Sequence, residues 1–525
     1  MTLDSQLPTV GTRINHNSNL GTIRFVGPVD GTKGIWLGVE WDDSQRGKHS
    51  GTKNGKQYFT CNIANSGSFI RPGPSIVLGR SFLEALSSKY IEIPLEMSTE
   101  KVMLGSSNGA IEVEAVGMNK VRSKLSRLGN LREVSLDKEN VARADDNGQI
   151  RLRCPNIKGL DLSRSLIPTW EELARIVGEL TLLETLGLNF NRLGKLPPLP
   201  DFGMAFANVL DVRLNGTLIT WEDMLRLLSS FSRLQNLELG LNDLQNLSPP
   251  PLPFTTNLAT LNLEKNRISH WESTMKSLVL FKRLDRLILS ENKIQRITKL
   301  SSTGNLSQIQ HLALASNGIG TWSDIDALPA WFPYLKTLNI NNNPISQDTA
   351  SRALIIARLP CLLTLNASAI SSAERRDSEL FYLSHIVKIG PSAHEDRVRD
   401  YPQYQELCEK HGRPADKQEF PPDTLKNRLF GTHFYRSWDA VPPTPDFDLS
   451  KPEFTLRVLP SMSLRVLRMK VLKTLKLPPQ TQIQMWLALE RGTLRDFAKL
   501  DMDIADRPLE FWGPDENSKI VYYVW

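Results

Sequence analysis

The chain has 525 residues, 40% hydrophobic and 23% charged, with 63 Lys and Arg against 57 Asp and Glu and a formal net charge of +6. That length exceeds one core and predicts two to four domains of ordinary globular composition. The mild charge, with no long Lys/Arg block, gives no reason to expect a nucleic-acid partner. No apolar run reaches the ~18 residues of a membrane span, and MTLDSQLPTVG at the start lacks the charged and apolar parts of a signal peptide. Cys61, Cys154, Cys361 and Cys408 are far apart with no CxxC pair. This predicts a reducing cytosol, with neither zinc site nor disulfide framework.

Residues 8–75 read as short strands separated by glycine-rich turns, TVGTRI, LGTIRFVG, GIWLGVEW, KQYFTC and SFIRP, which predicts a small β-barrel. Within it, RGKHSGTKNGKQYFTC (46–61) packs three glycines and three lysines ahead of Tyr58 and Phe59. Gly47, Gly51 and Gly55 serve one of two purposes. Either they only turn a hairpin, or they bare successive backbone N–H groups that make an anion-binding nest. In the second case Lys48 adds charge, and Trp36, Phe59 and Phe69 offer apolar walls. Such a site suits an acidic peptide with a free carboxylate and an aromatic last residue.

G31-T-K-G-I-W-L-G-V-E-W41, G47-K-H-S-G51, Y58-F-T-C61 and G67-S-F-I-R71 together resemble a CAP-Gly domain. The resemblance implies binding of acidic tails ending in an aromatic, as on α-tubulin. Carried over, Lys48 and His49 meet the acidic end, and Trp36 and Phe69 line a groove that runs beside Phe59 and Arg71. His49-Ser50 stands where the family has Asn-Asp.

After a connecting segment at 76–125, an LxxLxLxxNxL pattern recurs every 24 to 27 residues, clearest at Leu234, Leu258, Leu284 and Ile309. This predicts an α/β leucine-rich-repeat solenoid with its end-cap over 126–385. Asn242, Asn266, Asn292, Asn317 and Asn343 fall at the turn after each strand, where an amide can satisfy neighbouring backbone. Trp170, Trp221, Trp271 and Trp322 occur in alternate units, three after a threonine with an acid three residues beyond it. That spacing predicts a capped outer helix over a buried tryptophan. Between the ladder leucines, the concave positions carry Glu133, Asp137, Asp161, Asp211, Glu238 and Glu264 against Arg213 and Arg286. The acidic face is either a solvated surface or a docking face for a folded partner.

A cap helix and linker over 386–425 lead to 426–525, where strand, strand, helix, strand, strand predicts an α+β, ubiquitin-like β-grasp module. Its helix 463–477 carries Arg465, Arg468, Lys470, Lys473 and Lys476, a pattern more often solvated than binding. No nucleotide loop, nucleophile elbow or metal-spaced His/Cys set appears. The expectation is a non-enzyme without cofactor or metal.

The three modules in this order resemble the tubulin-folding cofactor E family. The resemblance implies a cytoplasmic, cytoskeleton-associated chaperone that binds the tail and body of α-tubulin. It would act with other tubulin-folding cofactors to assemble or take apart the αβ heterodimer. The last module would meet another cofactor, the proteasome or other ubiquitin machinery. The competing expectation is a microtubule-associated adaptor without folding activity.

Overall fold

The computed structural model describes residues 7–91, 102–104, 111–113, 128–198, 200–300, 304–414, 429–491 and 494–525. The chain forms two compact units, 1–318 and 319–525. Of the cap helix and linker expected over 386–425, residues 415–425 fall outside the described residues, as does most of 92–127.

The first unit begins with a five-stranded antiparallel sheet ordered Gly67–Ile70, Ile35–Trp41, Asn19–Pro28, Arg13–His16, Ile76–Val77. Alternation along these strands points Ile14, Ile23, Leu37, Val39 and Trp41 into one core. Arg13 is 1% exposed, its guanidinium bonded to Thr22 and paired with Asp42. The strand expected from KQYFTC shrinks to the hairpin Thr52–Lys53 and Lys56–Gln57. Phe59 has left the strand and points inward, 6% exposed.

The segment after this sheet is structural, not merely connecting. Arg80–Ser81 pairs in parallel with Val141–Arg143, and Ser81 with Glu84 forms a capping box on the helix Phe82–Tyr90. That helix buries Phe82, Leu83, Ala85 and Leu86, covering the open end of the repeat ladder. Asp145 accepts from Ser81 and from the Leu83 N–H, Arg80 pairs with Glu139, and Asn15 bonds Asn140. The N-terminal sheet is thus clamped to the first repeats.

Among the described residues of this unit, eight parallel three-residue strands follow in unbroken register, from Glu133–Ser135 to His311–Ala313. The middle residues Val134, Leu160, Leu186, Val212, Leu237, Leu261, Leu287 and Leu312 are all buried. Asn266 shows how the turns close. Its Oδ1 accepts from the N–H groups of Asn242 and Leu244, and its Nδ2 donates to the carbonyls of Leu239 and Leu263. Asn191 does the same earlier in the stack, taking the Ser165 N–H.

Helices start on the expected tryptophans, Trp170–Val177, Trp221–Leu227 and Trp271–Leu278 here and Trp322–Trp331 in the second unit. Thr169 and Thr220 accept from the N–H three residues on. The acids at those sites work differently from the expectation. Glu172 reaches across to the Ala144 N–H of the preceding unit, and Asp223 pairs with Arg226. In the second unit Asp324 does turn back, accepting from the Thr321 N–H and hydroxyl. Trp170, Trp221 and Trp271 are at most 4% exposed. Trp322 is half-buried under the Arg358 guanidinium.

The second unit continues with Thr337–Asn339, the helix Ser351–Arg358 and the strands Thr364–Leu365 and Ser368–Ala369. The helices Ser372–Ile389, His394–Asp400 and Tyr404–His411 then close the ladder, with Leu354, Tyr382, Leu383, Ile386, Tyr404 and Leu407 between them. Residues 430–524 form a mixed five-stranded sheet ordered Phe454–Val458, Phe430–Arg436, Ser518–Val524, Ile483–Arg491, Leu494–Leu500. Its first and last strands in sequence pair in parallel, and Leu464–Thr474 packs on one face through Leu464, Leu467, Val471 and Leu472. The strand 494–500 exceeds the expected order. The Pro-rich stretch VPPTPDFDLSKP (441–452), which joins the strands Phe430–Arg436 and Phe454–Val458, packs rather than merely connects: its Leu449 and Phe447 cover Tyr435, Trp486, Phe497 and Val521 on the opposite face.

Candidate functional site

The signature glycines answer a packing demand. Gly51 lies at φ +94°, and a Cβ there would run into the Phe59 carbonyl, as one at Gly47 would into the Asn65 carbonyl. Only glycine permits that approach. The loop is consequently stitched down. Gly47 donates to Ser44, Lys48 and His49 both donate to the Gly67 carbonyl, and Gly51 donates to Nδ1 of His49. The expected nest of bare amides is therefore corrected: the N–H groups of 47, 48, 49 and 51 are already bonded, those of 48 and 49 to the neighbouring strand Gly67–Ile70.

The side chains at this surface form a compact group. The half-buried Phe69 ring lies 5.1 Å from His49, 5.4 Å from Phe59, 5.5 Å from Tyr58 and 6.2 Å from Phe25. Phe59 is the floor of this cluster and no exposed wall. Trp36 departs from the expected bare wall as well. Arg71 lies over its ring at 3.9 Å, Lys53 stands at 5.4 Å, and its Nε1 donates to Thr32. Stacking on a guanidinium of this kind leaves a cation at the ring surface. Lys48 is exposed. Burial, followed by the charges of Lys48 and Lys53, holds the His49 pKa below its ordinary value.

Sequence reading missed Phe25 and the role of Tyr58, whose hydroxyl accepts from the Asp30 N–H while Lys56 pairs with Asp30. Phe25 sits at a bulge where the pairing with Ile35–Trp41 shifts. Bulges re-aim side chains, so simple alternation could not place it. Ser50 accepts from the Asn65 N–H, so it holds the loop in the position where the CAP-Gly signature has Asp.

The concave acids share the solenoid face. Strand register puts Glu133, Asp211 and Arg286 in one row, and Asp161, Arg213 and Glu238 in the adjacent row. Arg213 lies 3.4 Å from Asp211 and 3.7 Å from Glu238, and Asn215 donates to Glu238. Arg213 thus offsets part of the negative field at the centre. Burial raises the Asp211 pKa despite Arg213. Glu264 lies one turn further on, its N–H bonded to Asn262. Among the described residues, no helix is long and apolar enough to cross a membrane, and no cluster of three His, Cys, Asp or Glu could hold a metal.

These features define a protein with a small glycine-loop β module clamped to a repeat solenoid. The CAP-Gly domain model matches residues 10–74 and a leucine-rich-repeat model matches 273–388. The chain is 34% identical to tubulin-specific chaperone E of Bos taurus, over 82% of this chain and 84% of that protein. It is 32% identical to tubulin-specific chaperone E of Xenopus laevis over 98% of both, and 31% identical to tubulin-folding cofactor E of Arabidopsis thaliana over 77% and 78%. The chain belongs to the tubulin-specific chaperone E family.

Proposed function

We propose that this chain is a tubulin-folding cofactor that binds α-tubulin and assists assembly or disassembly of the αβ heterodimer. Family membership along almost the whole chain carries the reading. The N-terminal groove takes the acidic, aromatic-ended tail. Lys48 and His49 meet the carboxylates, and Phe69, backed by Phe59, Tyr58 and Phe25, meets the terminal ring. Trp36 with Arg71 borders the same surface. The acidic concave face, centred on Asp211, Glu238 and Glu264, engages the folded body. Two weak contacts on one cargo raise affinity through effective concentration.

The C-terminal sheet with its single helix is read as a ubiquitin-like domain that contacts another folding cofactor or the degradation machinery. The mechanism is binding and release, with no bond made or broken, in the cytoplasm. A microtubule adaptor is the second reading, favoured by the CAP-Gly module alone. Sedimentation separates the two. A folding cofactor leaves tubulin in the supernatant as a complex and lowers polymer mass. An adaptor pellets with intact microtubules and leaves their mass unchanged.

A further inference from the structure

We propose that the outer face of the C-terminal domain's helix, Leu464–Thr474, docks an acidic amphipathic helix of a partner protein; this rests on the reading of residues 430–524 as a contact module, and on neither tubulin site. Charge is segregated in this domain. The stretch 463–477 holds five of the thirteen Lys and Arg of residues 429–525, and all twelve Asp and Glu of those residues lie outside it. Leu464, Leu467, Val471 and Leu472 turn inward onto the sheet. Arg465, Val466, Met469, Lys470 and Lys473 are left on the exposed side.

Two of the five cations are used within the fold. Arg465 pairs with Asp506 at 3.0 Å, and Arg468 donates to the Pro479 and Thr481 carbonyls. The ammonium groups of Lys470, Lys473 and Lys476 meet no acid or acceptor among the described residues. They follow one another at three-residue steps, so like charges repel along one ridge. The helix C-terminus favours Lys473 and Lys476 but does nothing for Lys470. A repulsive ridge without an internal partner marks a surface shaped for something outside the chain. Beside it, Val466 and Met469 stand one turn apart and are 46% and 42% exposed. An apolar seam flanked by charge of one sign is how one helix selects another: the seam packs, and the flanks choose acids. Nucleic-acid phosphates gain nothing from the seam, and a membrane surface needs a broader apolar face than two side chains.

The test uses the full chain and a helical synthetic peptide of Glu and Ala with two leucines one turn apart, acetylated and amidated. Its capped, non-aromatic end keeps it out of the N-terminal groove. Wild type should bind it with an affinity that falls as salt rises, and should bind the same peptide with Gln for Glu about tenfold more weakly. Lys470→Glu with Lys473→Glu should cost a similar factor and flatten the salt dependence. Met469→Ser should weaken binding several-fold and leave the salt slope intact. Circular dichroism checks the fold of each variant, and the milder Lys470→Gln with Lys473→Gln takes over if the reversal unfolds the domain. No binding by wild type, or equal binding by wild type and the lysine variants, overturns the proposal. So does binding of phosphatidylserine vesicles or single-stranded RNA through these lysines with the peptide ignored. Peptide binding lost on reversal, with tubulin handling unchanged, upholds the surface and rejects the role in tubulin folding given to the domain above.

Discussion

Asn266 closes the turn of the repeat before it, its Oδ1 accepting the Leu244 backbone N–H across 3.0 Å. The same oxygen takes the Asn242 N–H, and Nδ2 satisfies two carbonyls. The side chain is 4% exposed, so water cannot replace these bonds. Asn266→Ala should destabilise the first unit by about 2–4 kcal/mol, since several buried backbone groups lose their partners at once. Denaturant unfolding followed by circular dichroism checks this; a change within error would mean the turns close without the amide.

Phe59 and Phe69 touch each other, yet their substitutions should separate stability from binding. Phe59→Ala removes a buried floor and should cost about 3–4 kcal/mol, lowering the melting temperature. Phe69→Ala trims a half-buried ring and should weaken tail-peptide binding several-fold with a smaller loss of stability. Calorimetric melting and peptide titration on both variants decide the assignment.

The concave face can be tested without touching the groove. Asp211→Lys, Glu238→Lys and Glu264→Lys together reverse the field around Arg213. If this face holds the cargo body, the triple variant should lose capture of soluble tubulin about tenfold or more and still bind an isolated tail peptide. Capture at the wild-type level by the folded variant would make these acids a solvated surface.

Glu379 gives the second unit an acid sensitivity. Burial would raise its pKa, but bonds from Lys410 and His411 more than offset that and hold it below 4.5. A carboxyl depressed in the folded state stabilises fully above its unfolded pKa, and that contribution is lost as pH falls through the lower folded value. The Glu379 contribution to docking of the helix Tyr404–His411 on Ser372–Ile389 should therefore be lost as pH falls below about 4.5. Glu379→Gln should flatten that fall. Amide exchange in 404–411 across the range measures it.

The repeat strands were legible because a period of 24 to 27 residues needs no tertiary information, and the tryptophan helices followed from their caps. The solenoid's N-terminal cover was missed although Ser81 and Glu84 show a capping box in the sequence, because 76–91 lies outside the repeat and reads as a connection. The Pro-rich stretch 441–452 reads as a loop joining two strands for the same reason: only the fold shows Phe447 and Leu449 covering a second apolar sheet face. In the groove the residue types were legible, but not which amides remain free. The Gly67 carbonyl takes both Lys48 and His49 N–H groups, a contact between segments that spacing alone does not reveal.

Capture of an acidic chain end by the surface around Lys48 is the claim on which the account rests. Its most direct measurement is the affinity of the full chain, and of Lys48→Glu, for soluble αβ-tubulin with the α-tubulin tail intact and with its last residue enzymatically removed. The account predicts that shortening weakens binding by wild type about tenfold, and that Lys48→Glu binds both forms equally and weakly. Equal affinity of wild type for both forms, unchanged by Lys48→Glu, would contradict it.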